Sequence, residues 1–266
     1  MSNLGKMAFI FGAAFLVFWY LFVHKIILQY LSSLGLLPLL SNILALTIIP
    51  YLLLFILELE IFIKLQILQA TPKNLNIKLV SLDNIYEVNH VSLNQYTRSL
   101  KSLGFVQIAD FQEREAVIRV LWHPEYQCGA EILQSLNKTS PYTYCGISNI
   151  FEQGWAVAFL DNDINQIGAY ALRVPKRLTI FKSKMPLDKL LKLFLEFRKQ
   201  MMSDLNISII KDVSIDLYLD VSKKSRRQTR QKIIWTSIIF MFIEMSLFSM
   251  KTDDEKYKCL ATYTKA

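Results

Sequence analysis

The chain has 266 residues, 53% of them hydrophobic, and a formal net charge of +8. Residues 1–70 and 71–222 each carry a net charge of +1 and residues 233–266 carry none, whereas residues 223–232 hold six basic side chains and no acidic one. That partition excludes a diffusely basic nucleic-acid-binding domain, a disordered chain and an ordinary soluble enzyme. It leaves a membrane protein with one soluble domain of nearly balanced charge.

Residues 7–23 are uncharged. A bilayer core needs roughly 20 apolar residues of helix, so this stretch is expected as a first span. A cleaved signal peptide is the rival reading. Against it, no A-x-A-like site follows and a second apolar run begins at once. Residues 34–57 are charge-free and contain Pro38 and Pro50. A spanning helix tolerates such prolines where neighbours satisfy the freed carbonyl. Glu60 and Lys64 stand four apart in the favourable order, so the helix is expected to run on as far as the breaker Thr71-Pro72.

The domain at 71–222 reads as α+β. Residues 84–103 place Ile85, Val88, Tyr96, Leu100 and Leu103 at roughly helical spacing, and Gly104 supplies a left-handed stop after which Phe105 can fold back on Leu100. Short β-rich runs follow at 105–111, 116–122, 129–136, 142–151, 155–160 and 168–174, with turns at Glu152-Gln153-Gly154 and Asp161-Asn162-Asp163. Consecutive strands joined by short turns predict an antiparallel sheet with flanking helices. Pro186 opens a second helix with Asp188 in its first turn. The alternation of Val213, Ile215, Leu217, Leu219 and Val221 predicts a final strand, a helix being the alternative.

Residues 223–232 form a basic collar of Lys223, Lys224, Arg226, Arg227, Arg230 and Lys232. Each cation beside an anionic leaflet gains about 1 kcal/mol, and the run lacks the interleaved aromatics of a nucleic-acid strand site. The collar is therefore expected to contact anionic lipid headgroups and set topology, with no nucleic acid as partner. Residues 233–250 are expected as a third span, an in-plane interfacial helix being the alternative. With three spans, nine basic residues near the span ends lie on the side of the domain against four on the other. This places the domain in the cytoplasm or an organellar equivalent and leaves 251–266 as a short far-side tail. The sequons at Asn137 and Asn206 are then chance matches, and no disulfide is expected among Cys128, Cys145 and Cys259.

Glu244 is the one acid well inside an apolar run, and a contact with His24 or Lys25 is expected to tie the spans together. In the domain, His123 and Cys128 are the nucleophile–base candidates, with His90, Cys145, Glu125 and Asp161 the other ionisable possibilities. Their spacing fits no zinc site, and Asp161-Asn162-Asp163 lacks the glycine and twelfth-position acid of a calcium loop. No phosphate-cradling or nucleophile-elbow motif is present, so neither catalytic residues, metal nor cofactor are assigned. The expected function is a non-enzymatic integral membrane protein whose α+β domain binds a partner protein, a second copy of itself or a ligand, as adaptor, assembly factor or sensor. The alternatives are a membrane-bound enzyme using His123 with Cys128 or acids of the domain, and a transport subunit using Glu244.

Overall fold

The computed structural model describes the backbone of Pro38–Ala70, with side chains from residue 54, and most residues beyond it. Outside the described residues lie 1–21, 23–24, 27–28, 31–32, 36–37, 72–76, 83–84, 138–141, 165, 211–214 and 263–266. The expected first span falls there but for Phe22, as does His24. The chain forms two compact units, Met1–Gln66 and Ile67–Ala266.

Helix α1 (Pro38–Ala70) runs 33 residues and ends before Thr71-Pro72, with Glu60 and Lys64 paired at 2.9 Å. Pro38 opens the helix, where its missing N–H costs nothing, and Pro50 lies inside it. Leu54, Phe55, Ile56 and Leu57 are consecutive and exposed, so this stretch is apolar on every side. Among the described residues no single helix is long and apolar enough to cross a membrane, and the charge-free first half of α1 is described by its backbone alone.

The second unit is a mixed α+β domain. Its seven strands are β1 (Ile77–Leu79), β2 (Val106–Glu113), β3 (Ala116–His123), β4 (Cys128–Ser135), β5 (Thr143–Ile150), β6 (Ala156–Leu160) and β7 (Arg177–Phe181), paired in chain order. All pairs are antiparallel except β6 with β7. The expected strand over 168–174 is a short helix, α3 (Gln166–Ala171), and the expected hairpin at Asp161–Asp163 opens a crossover. A parallel pair needs a connection of a dozen residues or more, which is what 161–176 provide.

Helix α2 (His90–Ser102) is capped by Asn89, whose side chain accepts from the Ser92 N–H at 3.1 Å. It ends as expected: Gly104 has φ +94 and the Phe105 N–H returns to Leu100 O at 3.1 Å. Helix α4 (Leu187–Leu205) follows Pro186, with Asp188 in its first turn. These two helices cover one sheet face, where Val117, Leu121, Ile132, Ile147, Phe159 and Phe194 form the core. Arg119 joins that layer by a two-pronged bond to Asp110, 2.8 Å on each arm, and donates to Thr97 Oγ1 of α2 at 3.2 Å.

The expected final strand is a helix, α5 (Ile215–Trp235). Alternation over 213–221 was outweighed by tertiary placement: Tyr218 and Ser222 sit four apart against the sheet, and the Leu-, Lys-, Arg- and Gln-rich sequence that follows favours helix. The expected third span is also broken. Ser237 is extended, and α6 (Ile238–Ser249) leaves α5 at a bend of 119°. Ile238, Met241 and Phe248 of α6 are buried, Phe248 against Tyr170 at 5.3 Å between ring centres. The expected far-side tail folds onto the same domain as α7 (Asp253–Thr262): Tyr257 packs on Phe197 and donates to Asp204 at 2.6 Å, and Asp253 pairs with Lys182 at 2.8 Å.

Candidate functional site: a furrow under a basic helix

The second sheet face is built by register. Side chains alternate along each strand, so residues opposite one another across the ladder share a face. The pairings Trp122–Gly129, Gly129–Ser148, Ser148–Ala158 and Ala158–Thr179 lay four small residues in one row across β4 to β7. The next row toward one side is Val120, Glu131, Gly146 and Leu160, and toward the other Ile150, Ala156 and Arg177. A row of short side chains between rows that hold Val120, Glu131, Leu160, Ile150 and Arg177 is a furrow.

Helix α5 lies over this furrow on a polar face. Tyr218, Ser222, Ser225 and Thr229 line the space beneath it, at the three- and four-residue steps that keep one helix face. The space includes cavities of ≈ 240 Å³ and ≈ 50 Å³, both bordered by Glu131, Ser148 and Tyr218. The larger one also touches Arg177, Thr179 and Ser222. The Tyr218 hydroxyl donates to Glu131, whose carboxyl is pushed up by burial, against the opposing pull of Tyr218 and of the Arg177 charge. Burial pushes Tyr218 up in turn, and the Glu131 charge adds to it. Arg177 donates to Val221 O of α5 at 2.5 Å. The site is thus a partly filled slot in which one acid, one guanidinium and several hydroxyls stand among apolar side chains at low solvation.

The collar lies on α5 and divides by face. Arg226 pairs with Glu113 at 2.5 Å, Arg230 donates to Leu68 O at 2.9 Å and to Thr71 O, and Lys232 donates to Arg173 O at 3.2 Å and pairs with Glu244 at 3.3 Å. Arg230 therefore caps the C-terminal carbonyls of α1 with a cation, the charge that this helix end favours. Lys223, Lys224 and Arg227 point outward, Lys223 touching only the exposed Asp220 at 3.8 Å. Glu244 also pairs with Arg173 at 3.3 Å. These partners belong to the domain, where Glu244 lies on the packed side of α6, and His24, one of its two expected partners, lies outside the described residues. Lys25 is an exposed helical residue of the first unit.

The other candidates take structural positions. His123 is buried; its Nδ1 accepts from the Tyr126 N–H at 3.1 Å, so Nε2 carries the proton and donates to Leu103 O at 2.9 Å. Both ring nitrogens are used, and a Cβ on Gly104 would stand 2.8 Å from Nε2. Cys128 is fully buried and burial pushes its thiol up to about 12; burial raises Cys145 in the same direction. Neither is a thiolate at neutral pH. Glu125 is exposed, as is His90 only in part. Asp161 accepts from the Cys145 N–H at 2.9 Å and from Tyr96 in a polar cleft of ≈ 840 Å³, where burial raises its carboxyl.

No protein-family model, curated protein or solved structure matches this chain. The residues that matter here and escape sequence reading are Glu131, Ser148, Arg177 and Tyr218. Their strand and helix positions carry no common spacing, and the one usable signal was an acid at 131 on a strand whose other residues, Gln134 apart, are apolar or small.

Proposed function

We propose that the protein is a non-enzymatic membrane protein: the apolar N-terminal helices anchor it, and the α+β domain, on the cytoplasmic or equivalent side, is a binding module whose seat is the furrow under α5. The observation that carries this reading is the cavity of ≈ 240 Å³ into which Glu131, Arg177, Thr179 and Ser222 converge. A helix held over a sheet only to complete a core is expected to close on apolar side chains at interior density; this one leaves a slot in which those four polar side chains stand among apolar ones such as Ile150, Ala156 and Ala158. Pockets of that character, with a few convergent polar groups, hold small ligands or a partner's inserted side chain. The anchor reading is supported by the charge-free run at 34–57 and by α1 being apolar all round from residue 54 to 57. The enzyme alternative gains nothing from His123, whose nitrogens are both engaged, or from Cys128, whose thiol stays protonated.

Native mass spectrometry of the full chain, released gently from its membranes, tests the seat. The wild type is expected to carry a bound small molecule that Ala158→Met, filling the furrow, no longer holds while melting at a similar temperature. A wild-type chain with neither an added mass nor any difference from Ala158→Met in ligand-induced stabilisation would remove the seat.

A further inference from the structure

Helix α6 is apolar on two sides and uses only one of them on the domain. Ile238, Met241, Met245 and Phe248 follow the 3-4-3 step and face inward, with Glu244 among them on Arg173 and Lys232. The opposite side is exposed: Ile239, Phe240, Phe242, Ile243 and Leu247 are each about half or more accessible, and Met250 just beyond is 83% exposed. At 1.5 Å per residue α6 is about 18 Å long, too short for a hydrocarbon core of about 30 Å. To span, it would have to strip its inward face and Glu244 from their partners.

The exposed face of α5 leads to this one. Asp220, Lys223, Lys224, Arg227 and Gln231 recur at three- and four-residue steps, and the same stripe ends on Ile234 and on Trp235, which is 84% exposed. Cations, then an amphipathic indole, then an apolar helix face is the order in which a protein surface meets headgroups and acyl chains. The outward cations are three, grouped in the collar, against Asp216 and Asp220 in the turns before it, so the surface complementary to the collar is negative.

We infer that α5 and α6 form an in-plane docking face for an anionic lipid bilayer: Lys223, Lys224 and Arg227 meet the headgroups, Trp235 sits at their level, and the outer side of α6 enters the acyl boundary. The face lays the domain flat on the membrane without crossing it. It deepens the anchored reading above, but it stands on α5 and α6 and not on the N-terminal helices.

The test uses the full chain with Cys259→Ser and a single introduced cysteine carrying a polarity-sensitive fluorophore, at Phe240, at Leu247 or, as a control, at the fully exposed Tyr86. The proteins are mixed with phosphatidylcholine vesicles with or without phosphatidylserine, and flotation separately reports whether the chain is anchored at all. The probes at 240 and 247 are expected to shift to the blue with phosphatidylserine, several-fold brighter, while the probe at 86 stays water-like. The triple change Lys223→Glu, Lys224→Glu, Arg227→Glu is expected to return them toward the water value. Water-like emission from 240 and 247 in floating protein overturns the docking face, leaving the anchor intact. So does a blue shift indifferent to phosphatidylserine and to the triple change. A probe at Met250 quenched only from the opposite side of the vesicle would show a span instead and overturn it too.

Discussion

Replacing Arg230 by alanine should loosen α5 without unfolding the sheet. The Arg230 guanidinium donates to Leu68 O and Thr71 O, carbonyls at or just past the end of α1 that have no partner within their own helix. A hydrogen bond to a charged group contributes about 1.5–3 kcal/mol. Taking about 2 kcal/mol, the opening equilibrium of α5 rises roughly 30-fold. Hydrogen–deuterium exchange of the full chain reads this directly, since amides of 220–235 exchange through local opening. Peptides from α2 and α4, which cover the other sheet face, should exchange as before. Arg227→Ala is the internal control: it removes the same charge from the same helix one turn away, on the outward side, and a surface change of that kind is usually worth within about 0.5 kcal/mol. Equal acceleration by the two variants, or none by Arg230→Ala, would refute the division of the collar into a structural and an outward face.

Gly104→Ala should cost about 2–3 kcal/mol in urea unfolding: about 1–2 for an L-residue in the left-handed region, and about 1 for the His123–Leu103 bond that its Cβ would disturb. In a His123→Ala background only the backbone part should remain, and a cost under about 1 kcal/mol in the wild-type background would contradict the geometry. Glu131→Gln should flatten the pH dependence of stability. At low pH both folded and unfolded chains hold the proton. As pH rises through the ordinary glutamate pKa the unfolded chain ionises first while burial keeps the folded carboxyl protonated, so stability falls until the raised folded pKa is passed and then levels. Melting temperatures of wild type and Glu131→Gln should therefore diverge above that ordinary value in favour of glutamine; unchanged pH curves would show that Glu131 is not desolvated. Cys128 and Cys145 should resist thiol reagents at neutral pH in the folded protein, with the half-buried Cys259 labelling first; fast labelling of Cys128 would revive the nucleophile reading.

Local signals carried much of the fold. Asn89, Gly104 and Phe105 bounded α2, Pro186 opened α4, and the strand runs from 105 to 160 matched β2 to β6 because each alternates and is closed by a turn. What local pattern could not carry was competition between elements. Residues 168–174 read as a strand, yet the parallel β6–β7 pair needed a crossover there. Residues 213–221 alternate, yet from Ile215 onward they form a helix that roofs the sheet instead of joining it. Residues 233–250 are apolar enough for a span, yet Thr236 and Ser237 break the helix and Glu244 finds Arg173 and Lys232, a meeting between positions far apart in sequence. The furrow was hidden for the same reason: Gly129, Ser148, Ala158 and Thr179 align only once four registers are known. The basic collar was conspicuous as composition, but its split into inward Arg226, Arg230 and Lys232 and outward Lys223, Lys224 and Arg227 depends on its being a helix.

The proposed role is that of a binding domain held at a membrane by the apolar N-terminal runs. Alkaline carbonate extraction of membranes from cells expressing the full chain measures this most directly, because it strips proteins attached only through charge or an interfacial face. Anchoring predicts that the chain stays in the pellet, both as wild type and with Lys223, Lys224 and Arg227 all changed to glutamate. Recovery of the wild-type chain in the carbonate supernatant would contradict it.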